Sequence, residues 1–297
     1  MGLIALFVVA VLTFFLMYLV PGGPFVAEKS ITPQAKAALD AKFGLDKPLL
    51  VQFKNYVLHA LQGDFGPSIK QRGRDVIDII LTKFPISAKL GGISVLVALV
   101  LGVPLGCIAA FKRGKWGDNL IRVIATLGIA VPGFVLATLL LYYFTPVKSL
   151  FAFGEGGLKT FRQYILPVTA LAFYPMAYIA RLMRSTMLDT LGQDYIRTAI
   201  AKGVPRYKVL FKHALRNAIL PIITYVGPLT AFTITGSFVV ESIFTIPGLG
   251  FEFVNSIIKR DYTMIMGTTI FLAAIMITLN VLVDVAYKFV DPRIKLN

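Results

Sequence analysis

Long apolar blocks alternate with shorter polar stretches along this chain, and six of the blocks are long enough to cross hydrocarbon as helices, which takes about 18–20 residues. They run from Gly2 to Val20, about Ile86 to Phe111, about Asn119 to Phe144, about Tyr164 to Met187, about Ile219 to Val240, and about Met264 to Phe289. Pro132 falls near the middle of the third, Pro167 and Pro175 in the fourth, and Pro221 and Pro228 in the fifth. Prolines inside a span are tolerable where neighbouring groups re-satisfy the freed carbonyls, and they mark kinks. The pattern predicts an all-α membrane protein with six transmembrane helices. The first block has no basic residues ahead of it and is long for a cleaved signal, so it reads as an uncleaved span.

The polar stretches predict elements too. Between the first two spans, Thr32-Pro33 reads as an N-cap followed by proline at the first helical position, opening a helix to about Phe43 that Gly44 can end. A second helix is expected from Pro48 to Leu61, with Leu49, Phe53, Tyr56, Val57 and Leu61 near helical spacing. The organisation expected is span one over 1–20, an extracytoplasmic loop with short helices over 21–85, and a five-helix core over 86–297 containing a polar hairpin at 188–218. In that hairpin, Gly203 stands where a left-handed residue would close a helix, and Pro205 suits the first turn of the next. Arg206, Lys208, Lys212 and Arg216 give that next helix a basic face.

Composition sharpens the class. Hydrophobic residues are 57% of the 297 and charged residues 15%, against about a quarter charged in a soluble domain. The net charge of +15 is what the positive-inside bias gives a membrane protein. No basic stripe interleaved with aromatics on a soluble domain supports a nucleic-acid partner. The stretch from Arg181 to Arg216, the Lys112-Arg113-Lys115 turn and the tail with Lys288, Arg293 and Lys295 fall on one side of six spans. That side is the cytosol, and both termini with it. The loop at 21–85 is also basic, but loops beyond about 60 residues translocate regardless of charge. His59 and His213 lie far apart, which disfavours a metal site. Cys107 in an apolar block reads as a buried structural thiol.

Arg197-Thr198-Ala199, then Lys202-Gly203 and a downstream Leu220-Pro221, resemble the coupling loop of permease subunits in bacterial ATP-binding-cassette importers. Arg197-Thr198 replaces the common Glu-Ala, and the gap to Leu220-Pro221 is longer, a variant similar to the peptide and nickel branch. Gly63-Asp64-Phe65-Gly66-Pro67-Ser68, Phe84-Pro85-Ile86-Ser87-Ala88-Lys89-Leu90-Gly91, Val240-Glu241-Ser242-Ile243-Phe244-Thr245-Ile246-Pro247-Gly248-Leu249-Gly250, Arg260-Asp261-Tyr262, Val283-Asp284-Val285 and Asp291-Pro292-Arg293 extend the likeness over nearly the whole chain. The set resembles most the B-type permease subunits of oligopeptide importers. That family commonly has basic residues before the first span; their absence suggests a truncated or alternative start.

The resemblance implies half a translocation path in the bacterial cytoplasmic (inner) membrane, completed by a homologous second permease. Two cytosolic ATPases would grip the coupling residues Arg197, Thr198, Ala199, Ala201, Lys202, Gly203 and Val204. An extracytoplasmic binding protein would deliver peptide, and ATP with Mg would sit on the partner subunits. The chain has no G-x-x-x-x-G-K-[ST] phosphate loop, so it binds no cofactor of its own and is not an enzyme. Dipeptides or nickel are alternative cargoes. From another class, an ion-coupled secondary transporter is the rival, hinted at by the proline-broken spans and opposed by the hairpin and the scarcity of midplane charge.

Asp284 is an ionisable group inside a span, where charge is costly unless paired. Pairing with Arg181 or Arg184 is expected. Glu241 and Asp261 read as solvated or paired rim charges, Lys89 as snorkelling to the outer interface, and Met176, Met183, Met264, Met266 and Met276 as packing.

Overall fold

The computed structural model describes residues 1–20, 23–25, 33–144, 158 and 160–290. Among these, five helices are long and apolar enough to cross a membrane, and a bent pair can supply a sixth span. The chain divides into two compact units, Met1–Ser87 with Pro247–Thr278, and Ala88–Ile246 with Leu279–Asn297.

The first unit begins with α1 (Gly2–Leu19). Leu3, Ile4, Phe7, Val8, Leu12, Leu16 and Leu19 are exposed along it, an unbroken apolar surface suited to lipid. Its buried Phe14 meets Phe53 at 5.2 Å between ring centroids, seating α3 (Leu49–Ala60) on α1. The Tyr18 hydroxyl donates to Gln52 Oε1, and Gln52 Nε2 donates to the carbonyls of Leu45 (3.1 Å) and Lys47 (2.7 Å). One glutamine thus ties the span to the turn between α3 and α2 (Pro33–Phe43). As the sequence predicts, α2 ends at a left-handed Gly44, φ 66°; Thr32, its expected cap, lies outside the described residues.

Asp261 does not behave as a rim charge. It is 2% exposed and accepts from the Ser68 hydroxyl at 2.5 Å and from the backbone N–H groups of Ile69, Lys70 and Met264, each at 3.2 Å. The loop folds its amides onto the carboxylate, which replaces water as their acceptor. Glu241, in the second unit, is likewise fully buried. Asp261→Ala would strand several buried donors, and a loss of about 3 kcal/mol is expected. Protease cleavage near residues 66–74 of the purified protein should accelerate, and less so in Asp261→Asn. Unchanged cleavage in both variants would show that the loop is held by other contacts.

A helix fills the stretch between the fifth and sixth expected spans. It is α13 (Leu249–Lys259), whose first N–H donates to Ser87 Oγ at 2.8 Å and which Arg260 closes in the left-handed region, φ 56°.

Two helices pass through both units, α4 (Val76–Phe111) and α14 (Tyr262–Val290). The former starts ten residues before its expected point at Ile86. Val76, Ile79 and Ile80 are wholly buried, and their spacing carries the helix on through Pro85. The carbonyl that this proline leaves unbonded belongs to Leu81, which is exposed.

In the second unit, α5 (Trp116–Ala130) and α6 (Gly133–Phe144) are bent by 100° at Val131-Pro132. A kink at Pro132 follows from the sequence, but its size does not. Both arms pack on α7 (Phe161–Leu191). The approach of α4 to α7 depends on glycine: a Cβ at Gly106 would lie 2.5 Å from the Ala180 carbonyl oxygen, and one at Gly102 2.9 Å from that of Met176. The remaining elements are α8 (Asp194–Ala201), α9 (Arg206–Lys208), a π-helical turn (Val209–Ala214), α10 (Leu215–Ala218), α11 (Leu220–Ile234) and α12 (Phe238–Ile243). Met183, Met264 and Met266 are buried, as packing residues should be. Lys89 places its Nζ 5.2 Å over the Tyr164 ring. Cys107 is half-buried rather than enclosed.

Candidate functional site

The hairpin between α7 and α11 is built from local signals. Gly192 ends α7, its N–H bonding to the Leu188 carbonyl at 3.2 Å. Asp194 then opens α8, its charge favourable at a helix N-terminus. Ile196 is wholly buried and Ala199 nearly so, both in a cluster with Met187, Val209, Ala214 and Ala218. The end of α8 is a Schellman turn: Gly203 N–H donates to the Ile200 carbonyl at 2.9 Å and Val204 N–H to that of Ala199 at 3.1 Å. Gly203 itself has φ 75°, with open space around it.

Two further bonds fix the hairpin to its mounts. The Thr186 hydroxyl of α7 donates to the Ala218 carbonyl at 2.8 Å, and Asn217 Nδ2 donates to the Tyr195 hydroxyl at 2.7 Å. The π-helical turn between α9 and α10 was not legible in the sequence. Lys208, Lys212 and Arg216 are exposed around it, in line with a basic face.

A second cluster lies nearby on α7. Arg184 donates from Nε to Asp118 Oδ1 at 2.6 Å and from Nη2 to Asp118 Oδ2 at 2.8 Å. The carboxylate is fully buried. It also accepts the N–H of Gly114 at 2.9 Å, so one side chain holds the α4–α5 turn and joins it to α7. Arg181 instead lies over the Tyr178 ring, 5.8 Å from its centre.

Residues 102–296 match the family described as the binding-protein-dependent transport system inner membrane component, and residues 1–91 match the N-terminal family of the same systems. The chain belongs to this permease family.

The permease is 46% identical over 98% of its length to the dipeptide transport system permease protein DppB of Bacillus subtilis, covering 94% of that protein. It is 40% identical to the oligopeptide transport system permease protein OppB of Haemophilus influenzae and 39% identical to that of Escherichia coli, in each case over 98% of this chain and 95% of the relative. Among solved structures, it superposes on a chain of the inward-facing MetNI methionine ABC transporter with a TM-score of 0.56 at 16% identity, covering 73% of the permease and 97% of that chain. A chain of an amino acid ABC transporter gives the same TM-score at 15% identity, covering 73% of the permease and 94% of that chain. These two likenesses carry the fold alone. Family membership makes the chain a transport subunit rather than an enzyme, and among the described residues no three His, Cys, Asp or Glu gather as a metal site.

The seven residues that resemble a coupling motif divide by face. Ala199 turns inward with Ile196 and packs into the permease's own core. Arg197, Thr198, Ala201, Lys202 and Gly203 are exposed, together with Tyr195 and Ile200, which the motif did not flag; Val204 is half-buried. Tyr207 and Phe211, 62% and 63% exposed, extend the same hairpin. Sequence reasoning also passed over Asp118. The signal was available: with six spans, the turn at Lys112–Lys115 and the end of α7 lie on one side of the bilayer, which put an acid beside Arg184. The side chain of Asp284, the partner expected for Arg181 or Arg184, lies outside the described residues.

Proposed function

We propose that the permease forms half of the peptide path of an ATP-driven importer, with the exposed face of α8 held by a soluble ATPase. The observation that carries this is the mounting of the hairpin. It is buried on one side, bonded to α7 and to α10 just before α11, and exposes Tyr195, Ile200, Tyr207 and Phe211 on a polar segment between spans. Large apolar side chains held rigidly outside hydrocarbon fit a protein partner. A short helix fixed to two spans can turn closure of that partner into rocking of those spans.

A homologous second permease completes the path, a second ATPase serves it, and an extracytoplasmic binding protein delivers cargo. The basic hairpin and both termini lie in the cytosol, and the membrane is the bacterial inner one. Oligopeptides are the proposed cargo, supported by the OppB relatives; the higher identity to a DppB protein favours dipeptides as the second reading.

The test is ATP hydrolysis in proteoliposomes holding this chain with its partner permease, both ATPases and the binding protein, with peptides of two to eight residues. Peptide-stimulated hydrolysis with accumulation inside is the expected result, and the length giving the largest stimulation separates the two cargo readings. Uptake driven by an ion gradient without ATPases would overturn the proposal.

A further inference from the structure

The exposed faces of the spans differ in chemistry. α1 exposes only apolar side chains over Leu3 to Leu19, apart from small or partly covered positions, and α4 exposes Leu96, Val100, Leu101 and Ile108. Over the middle and last turns of α7, the exposed or half-exposed positions include Tyr174, Tyr178, Arg181, Ser185 and Asp189. At 100° per residue these five fall within a band about 80° wide. Ile179, Ala180, Met183 and Met187, facing the other way, are buried in the core.

The aromatic members of this band are ordered against one another. Tyr178 stacks with Tyr174 at 6.5 Å between centroids and packs on Tyr225 of α11 at 4.4 Å. The Arg181 guanidinium extends the row over the Tyr178 ring. Among the described residues no carboxylate pairs with Arg181. Arg181 lies one turn before Arg184, whose partner Asp118 holds the α4–α5 turn, so the band runs from within the span to its edge, and a charged face there belongs against water or protein rather than acyl chains.

We propose that this face lines the peptide path, and that Arg181 receives the free C-terminal carboxylate of the peptide in transit. The inference rests on the peptide-importer reading and adds the site. Peptides of varied sequence share their backbone and their two charged ends. The planar guanidinium fork matches a carboxylate with two parallel hydrogen bonds. The tyrosines beside it offer flat apolar surface with a hydroxyl at the edge, which tolerates many side chains. A single cation, already engaged by a ring, holds the carboxylate weakly enough to release it, as passage requires.

The experiment compares uptake of one peptide in free-acid and C-terminally amidated forms by the assembled complex in proteoliposomes, using wild type, Arg181→Gln and Arg181→Lys. All three share one binding protein, so a change in the acid-to-amide ratio reads the permease. In Arg181→Gln the ratio should fall at least about tenfold, the effect of one charged hydrogen-bonded pair, and Arg181→Lys should retain part of it. Equal loss for both peptides would overturn the proposal and indicate a structural partner for Arg181, such as Asp284 or the second permease. If Arg181→Gln does not assemble, Arg181→Lys decides: the ratio must fall severalfold, and an unchanged ratio overturns the inference. A wild-type complex that takes up neither peptide would instead sink the peptide reading itself.

Discussion

Gly203→Trp is expected to abolish ATP-dependent uptake in the reconstituted importer while the spans remain folded. Two effects combine at this position. An L-residue at φ 75° bears a left-handed penalty of about 1–2 kcal/mol, which falls on the turn closing α8. Nothing lies within 4 Å of a Cβ there, so the side chain would leave the turn into open space on the exposed side of the hairpin, where the proposed partner would sit. Gly203→Asn separates the two effects, because asparagine tolerates the left-handed region and adds little bulk. Asparagine should preserve most uptake and tryptophan none, with both complexes eluting intact from size exclusion in detergent. Full uptake by the Gly203→Trp complex would remove α8 from the coupling interface.

Asp118→Ala should act on stability before it acts on transport. The substitution leaves Arg184, with 22% of its side chain exposed, without either of its two bonds, and frees the Gly114 N–H as well. Removing one partner of a mostly buried ion pair costs about 3–5 kcal/mol, and the residual exposure of Arg184 places the expectation at the lower end, about 3 kcal/mol. Thermal unfolding of the purified permease should shift down accordingly. The double variant Asp118→Leu with Arg184→Met should recover much of the loss, since apolar replacements leave no buried charge behind. A double variant no more stable than Asp118→Ala would show that the pair supplies more than charge compensation.

How much of this was legible in the sequence depended on whether a signal was local. The helices Pro33–Phe43 and Leu49–Ala60 were, because Pro33, Gly44 and helical spacing act within a few residues. The Schellman turn at Gly203 was legible for the same reason. Asp261 was misread because its partners, Ser68 to Lys70, are almost two hundred residues away in sequence, and only folding brings those amides to the carboxylate. At Ala199 small size does not reveal direction; its packing with Ile196 on the inner side of α8 does. The helix after Pro247-Gly248 lies between two spans, a stretch to which the apolar pattern assigns no element. The polar band on α7 was present in the spacing of Tyr174, Tyr178, Arg181 and Ser185, yet it acquires meaning only once the opposite face is known to be buried.

The break at Val131-Pro132 bears on how the chain enters the bilayer. Its arms of 15 and 12 residues reach only about 22 and 18 Å, short of the roughly 30 Å of hydrocarbon. Neither arm spans the hydrocarbon on its own. Both lean on α7, which is synthesised after them. The third span therefore draws its seat from α7, a helix that follows both arms in the chain.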